Sequence, residues 1–184
     1  ATYWDRDTDK ELVLLHMLGG TRNDWNEFAK NVNYTVLAID LRGHGESGGN
    51  WQSFSDVDFN NMVLDVKAAN EFLSGDVIVI GASIGANVAL SYADNYPVAG
   101  VVLLSPSHDY RGVDTRAAIT RYKGPLLIVT SRNDEQSYNP SIVMYNTVPS
   151  EKKQLKTYED AGHGTRMFDK EDLDDIILKF IEGI

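Results

Sequence analysis

Short apolar runs rich in β-branched residues punctuate this chain: Leu12–Leu15, Thr35–Ile39, Val77–Ile80, Val98–Leu104 and Leu126–Thr130, with a weaker one at Gln154–Tyr158. A strand with one wet face alternates apolar and polar residues. A run without alternation belongs to a strand covered on both faces, as in a parallel sheet. Most of the runs lead through a turn-rich cluster into a helix-length segment. Phe59, Met62, Val63, Val66, Ala69 and Leu73 form a stripe at spacings of three and four, and Leu173, Ile176, Ile177, Phe180 and Ile181 form another. Asp169, Glu171 and Asp172 precede the second stripe and predict an acidic first turn, which suits a helix dipole. Strands alternating with helices imply an α/β open sheet, mostly parallel, with right-handed crossovers and helices on both faces. Chemistry in such sheets sits in the loops beyond the carboxyl ends of the strands.

The loop after Val77–Ile80 reads Gly81-Ala82-Ser83-Ile84-Gly85 and runs into the helical stretch Ala86–Tyr92. This is G-x-S-x-G with a strand before it and a helix after it, the context in which that pattern forms a nucleophile elbow. A sharp turn lifts the serine hydroxyl clear of the sheet and points the amide of Ile84 to where an oxyanion would form. A serine hydroxyl is a poor nucleophile at neutral pH and needs a base, itself oriented by an acid. The chain has four histidines. His163, between Gly162 and Gly164 just past the last strand, is the candidate base. His16 and His44 read as structural, and His108 as a pocket-lining residue. For the acid, Asp134 follows the strand Leu126–Thr130 and completes the order Ser, Asp, His, with Asp109 and Glu135 as rivals.

Composition narrows the alternatives. The 184 residues, 42% hydrophobic and 24% charged, predict one globular domain over residues 1–184. Seventeen basic against 27 acidic residues give a net charge of −10, which disfavours nucleic acid and anionic membranes as partners. No apolar run approaches the ~18 residues of a membrane span. Without cysteine there is no disulfide, no thiolate metal site and no thiol nucleophile; a reducing, cytoplasmic setting is the expectation, with a leader trimmed ahead of Ala1 left open.

A second oxyanion donor must come from the loop after the first strand, His16-Met17-Leu18-Gly19-Gly20. With that loop, the stretches "LLHMLGG", "AIDLRGHGESG", "VIVIGASIGANVAL", "GPLLIVTSRND" and "AGHGTRMF" together resemble the α/β-hydrolases, bacterial and archaeal esterases and dienelactone-hydrolase-like proteins in particular. The resemblance implies Ser83 as nucleophile, Asp134 as acid and His163 as base, with the amides of Leu18 and Ile84 holding the oxyanion. Met17 stands where the family usually has glycine, so its amide stays a candidate donor. Asp40 and Arg42 in "DLRGHGES" fall where the family braces the floor of the site. The family's strands ahead of Leu12 are represented only by Ala1–Trp4, an abbreviated beginning.

Family lids are commonly inserted after the strand Val98–Leu104. The interval from Ser107 to Lys123 accommodates one short helix around Thr115–Tyr122 and no cap domain. The resemblance therefore implies an open site for small to medium acyl groups, with Met17, Leu18, Trp51, His108, Tyr110 and Met167 as candidate walls. The expected activity is hydrolysis of a small-molecule carboxylic ester, without metal or cofactor. Thioesterase, peptidase and lactonase activities with the same triad are the alternatives, as is a binding protein that keeps only the fold. Oligomeric state is not readable from the sequence.

Overall fold

The computed structural model describes residues 1–170 and 172–184, so Glu171 and its part in the expected acidic turn lie outside the described residues. Seven strands form one sheet in the order β1 (Thr2–Trp4), β3 (Thr35–Ile39), β2 (Lys10–Leu15), β4 (Asp76–Ala82), β5 (Gly100–Leu104), β8 (Leu126–Ser131) and β9 (Lys153–Tyr158). β1 runs antiparallel to β3; every other pairing in this sheet is parallel. This is the mostly parallel α/β sheet expected from the apolar runs, in the arrangement implied by the resemblance to the α/β-hydrolases.

The absence of alternation in those runs has its cause in two apolar layers. Leu12, Leu14, Ile78, Ile80, Val102, Leu104, Leu127 and Val129 point to one face. There they meet Phe28 of α1 (Asn26–Asn31) and Ile177, Phe180 and Ile181 of α7 (Leu173–Glu182). Val13, Leu15, Val79, Val101, Leu103 and Ile128 point to the other. They meet α3 (Val63–Phe72), α4 (Ile84–Ala93) and Met144 of α6 (Glu135–Thr147). The stripe read from Phe59 to Leu73 is split between α2 (Asp56–Asn60) and α3, and it buries Phe59, Met62, Val66 and Ala69. The acidic first turn of α7 is made by Asp174 and Asp175 instead, because the helix starts at Leu173 and Asp169 ends a preceding 3-10 turn, Gly164–Asp169.

Register sets the stage for a site. Leu15 pairs with Gly81, Ala82 with Leu104, Leu104 with Val129, and Ser131 with Tyr158. The loops after β2, β4, β5, β8 and β9 consequently leave the sheet along one edge. At the position of a family lid, the chain forms only a two-stranded hairpin, β6 (Asp109–Tyr110) with β7 (Val113–Asp114), and the six-residue α5 (Arg116–Arg121). No helix among the described residues is long and apolar enough to cross a membrane.

Candidate active site

Ser83 sits between β4 and α4 with φ 56° and ψ −118°, a conformation that costs a non-glycine residue of order 1–3 kcal/mol. Its N–H donates to Leu104 O at 2.8 Å, tying the turn to the end of β5. The flanking glycines answer to close approach: a Cβ at Gly81 would lie 2.2 Å from Gly85 O, and one at Gly85 would lie 2.5 Å from Leu15 O. Ile84, the first residue of α4, contributes one of the amides that a helix start leaves without an intrahelical partner.

Asp134 and His163 come from neighbouring strand ends and meet: His163 Nδ1 lies 2.7 Å from Asp134 Oδ2. Asp134 stands at the N-cap of α6, yet its carboxylate makes no cap hydrogen bond and turns to the imidazole instead. Burial would raise its pKa, but hydrogen bonds from His163, Ser105 and Ser137 outweigh that and hold the carboxyl below its ordinary value. It therefore stays ionised at neutral pH. The two loops are laced together by Ser131, whose Oγ accepts from Ala161 N at 2.8 Å and donates to Asn133 Oδ1 at 2.7 Å. Gly164 adopts φ +59° where a Cβ would come within 2.3 Å of Met17 Sδ, so a side chain after His163 would have to displace Met17 and hold a backbone conformation that favours glycine. The rivals are placed differently. Asp109 is exposed, accepts from Gly112 N at 3.1 Å and faces Arg116, and Glu135 is exposed at the rim of the cavity.

Ser105 is a residue that sequence reasoning missed. It is 1% exposed at the end of β5 with φ 53°. Its Oγ accepts from Gly164 N at 2.9 Å, and its hydroxyl is among the groups that hold the Asp134 pKa down. One side chain thus joins the acid to the loop carrying the histidine. A hydrogen bond to a charged group contributes about 1.5–3 kcal/mol. If its loss falls on the barrier, Ser105→Ala lowers kcat by at least about tenfold, with KM little changed and Ser105→Thr restoring part of the rate. Steady-state kinetics beside a thermal melt decide this, since a purely structural serine would lower stability and leave kcat alone.

The loop after β2 is aimed by His16, which is fully buried. His16 Nε2 accepts from Leu41 N at 3.0 Å, so the ring proton sits on Nδ1 and is donated to Met17 O at 2.7 Å. Burial pushes the His16 pKa down and keeps it neutral in that tautomer, although the Met17 carbonyl opposes the shift. Met17 O also accepts from Gly20 N at 2.9 Å. The Met17–Leu18 peptide is trans, so a carbonyl held inward turns the Leu18 N–H the opposite way.

A cavity of about 680 Å³ opens over these loops and is lined by Met17, Leu18, Ser83, Tyr110, Asp134 and His163 among others. Three expected wall residues are not among its lining. Trp51 stacks on His44, with ring centroids 5.7 Å apart, in the loop after β3. Met167 is fully buried in the apolar layer with Trp25 and Phe180. His108 holds the hairpin segment, its carbonyl accepting from Thr115 N at 2.8 Å. No group of three or more His, Asp or Glu side chains among the described residues is placed to hold a metal ion.

The family model described as "Alpha/beta hydrolase family" matches residues 12–133. A putative 2-succinyl-6-hydroxy-2,4-cyclohexadiene-1-carboxylate synthase of Haemophilus influenzae is 29% identical over 83 residues, 45% of this chain and 33% of that protein. The chain thus spans about a third of the length of that curated relative. Among solved structures, MenH from S. aureus superposes with a TM-score of 0.81 at 20% identity, over 99% of this chain and 97% of that one. An esterase of Pyrococcus furiosus superposes with a TM-score of 0.85 at 22% identity, over 98% and 83% of the two chains. At these identities the superpositions establish the fold, and the family match reaches from β2 to the loop that carries Asp134. The chain belongs to the alpha/beta hydrolase family.

Proposed function

We propose that this protein is a serine hydrolase that cleaves carboxylic esters of small to medium acyl groups. The observation that carries the reading is the 2.7 Å pairing of His163 Nδ1 with Asp134, on the cavity that also holds Ser83 at its elbow. With Nδ1 committed to the carboxylate, Nε2 is the nitrogen left to act as base. His163 takes the Ser83 proton as Oγ bonds the acyl carbon, and the carbonyl oxygen becomes an oxyanion held by the Ile84 and Leu18 amides. The carbon–oxygen bond to the leaving alkoxide then breaks, and His163 returns the proton to that oxygen. A water deprotonated by His163 attacks the acyl-enzyme, and the acid leaves as Ser83 regains its hydrogen.

The test is covalent labelling by a fluorophosphonate together with turnover of p-nitrophenyl acetate. The expected result is one label per chain, located on Ser83 by peptide mass, and loss of turnover on labelling. A folded protein that takes up no label and leaves an ester, thioester, lactone and amide panel intact would overturn the reading. Ranking kcat/KM across the panel separates esterase from thioesterase, lactonase and peptidase. A second reading follows the Haemophilus likeness to a synthase with a carboxylate product; among the described residues, the cavity lining holds one Lys or Arg side chain, Arg166, against the two carboxylates Asp134 and Glu135, a balance that favours the ester reading.

A further inference from the structure

Beside the open cavity lies a second, smaller and more enclosed one of about 140 Å³, and the two share Ser83, Tyr110, Gln136 and His163. Its remaining lining is Ser105, Ser107, Asp109 and Ser137. At ~30 Å³ per water-sized group, this space holds about four or five non-hydrogen atoms. Apart from the Tyr110 ring, every side chain around it carries a polar group.

The walls are fixed. Ser107 N donates to Asn87 Oδ1 at 3.0 Å, and Asn87 Nδ2 donates to Ser107 Oγ at 3.2 Å and to Val113 O at 2.9 Å. Asn87 is fully buried on α4, and Thr115 Oγ1 donates to Ser107 O at 2.7 Å. Ser105 Oγ accepts from Gly164 N at 2.9 Å, and Ser105 and Ser137 both help hold the Asp134 pKa down. The rest of the lining is Asp109, Gln136 and Ser107; Asp109 Oδ1 accepts from Gly112 N at 3.1 Å and Oδ2 lies 3.8 Å from Arg116, which leaves acceptor capacity on both oxygens. A carboxylate and an amide oxygen seek hydrogen-bond donors, and an aliphatic group placed there would strip them of water without return.

The two-step chemistry assigns the two spaces. The leaving alcohol must depart and water must enter while the acyl group stays bonded to Ser83, so the open cavity suits the alcohol and the enclosed one the acyl group. We propose that the enclosed pocket is an acyl subsite selecting short acyl groups of about two to four carbons that bear a hydrogen-bond donor, a hydroxyl or an ammonium. This inference rests on the serine-hydrolase reading.

The experiment uses p-nitrophenyl lactate, alaninate, isobutyrate and octanoate, which share a leaving group; the first three are near-isosteric in the acyl part. Each kcat/KM is divided by the ester's own hydroxide-catalysed rate, which removes intrinsic reactivity. Lactoyl or alanyl is expected to exceed isobutyryl by about tenfold, and isobutyryl to exceed octanoyl by at least as much; which of the first two leads distinguishes hydroxyl from ammonium. Gln136→Leu, at an exposed position in the first turn of α6, is expected to bring lactoyl and isobutyryl within about twofold of each other. Isobutyryl matching or exceeding both polar esters, octanoyl matching isobutyryl, or an unaltered ratio in Gln136→Leu would each overturn the subsite. Fluorophosphonate labelling of Ser83 alongside keeps that failure distinct: a labelled, active enzyme with no acyl preference sinks only this inference, whereas an unlabelled, inert one sinks the hydrolase reading.

Discussion

Ser83→Ala is expected to lower kcat on p-nitrophenyl acetate by about 10⁶, and adding His163→Ala to it to cost almost nothing more. In the proposed scheme, base and nucleophile act in one event. Without Oγ there is no proton for His163 to take, and without His163 the hydroxyl keeps its proton. Asp134→Asn is a gentler lesion of about 10⁴. Its carboxamide fills the same space, but the Asp134 carboxylate accepts from Nδ1 at 2.7 Å, and an amide nitrogen offered there favours the tautomer whose Nε2 carries the proton and cannot act as base. Single-turnover rates of the three variants and the double variant check the set. A double variant slower by the product of the two single losses would mean that Ser83 and His163 serve separate steps, and the acyl-enzyme scheme would be wrong.

Asp40→Ala is expected to lower folding stability by about 1–3 kcal/mol, the usual cost of leaving a hydrogen-bond donor without its acceptor. Asp40 is 5% exposed in the loop after β3, accepts from Arg22 N at 2.7 Å and Glu46 N at 3.0 Å, and pairs with the Arg22 guanidinium. Arg22 in turn reaches Glu46 at 2.8 Å, so one carboxylate gathers two loops beneath the site. Burial would raise the Asp40 pKa; the amides of Arg22 and Glu46 and the guanidinium outweigh it and hold the carboxyl below its ordinary value. A depressed folded-state pKa contributes stability above the unfolded value of about 3.9 and loses it as pH falls through the folded value. The gap between wild type and Asp40→Ala should therefore be constant from pH 7 to 5 and narrow below about pH 4. Urea midpoints at pH 7, 5 and 3 measure it, and a gap that ignores pH would assign the loss to packing.

The strands were legible because both faces of the sheet are covered, which removes alternation from Leu12–Leu15, Val77–Ile80 and Leu126–Thr130. The elbow was legible because close backbone approach at Gly81 and Gly85 excludes every other residue. Parallel strands deliver their carboxyl ends to one edge, which made Asp134 and His163 candidates together but left Asp109 and Glu135 as rivals; the 2.7 Å contact of His163 Nδ1 with Asp134 sets them apart. Side-chain direction is another matter. Trp51, His108 and Met167 lie near the right loops in sequence, but His44 beneath Trp51 and the apolar layer around Met167 turn them elsewhere. α6 carries Pro140 and almost no apolar stripe, so nothing in its periodicity marks thirteen residues of helix. Ser105 was hidden for a related reason: its importance lies in partners 29 and 59 residues onward, Asp134 and Gly164, which only the completed sheet brings to it.

Among the described residues, non-glycine positions with positive φ are Asp7, Ser83, Ser105 and Arg111. Two of these are serines capping adjacent strands, β4 and β5, and both face the candidate acid–base pair. Glycine would adopt either conformation without strain, so each serine forgoes of order 1–3 kcal/mol of folding free energy to keep a hydroxyl there. Against a net stability of about 5–15 kcal/mol for a domain, that is a sizeable share. At Ser105 the hydroxyl's bond to Gly164 N offsets the strain, but at Ser83 thermostability and reactivity are opposed: glycine there would relieve the turn, and in the proposed scheme it would leave nothing with which to attack an ester.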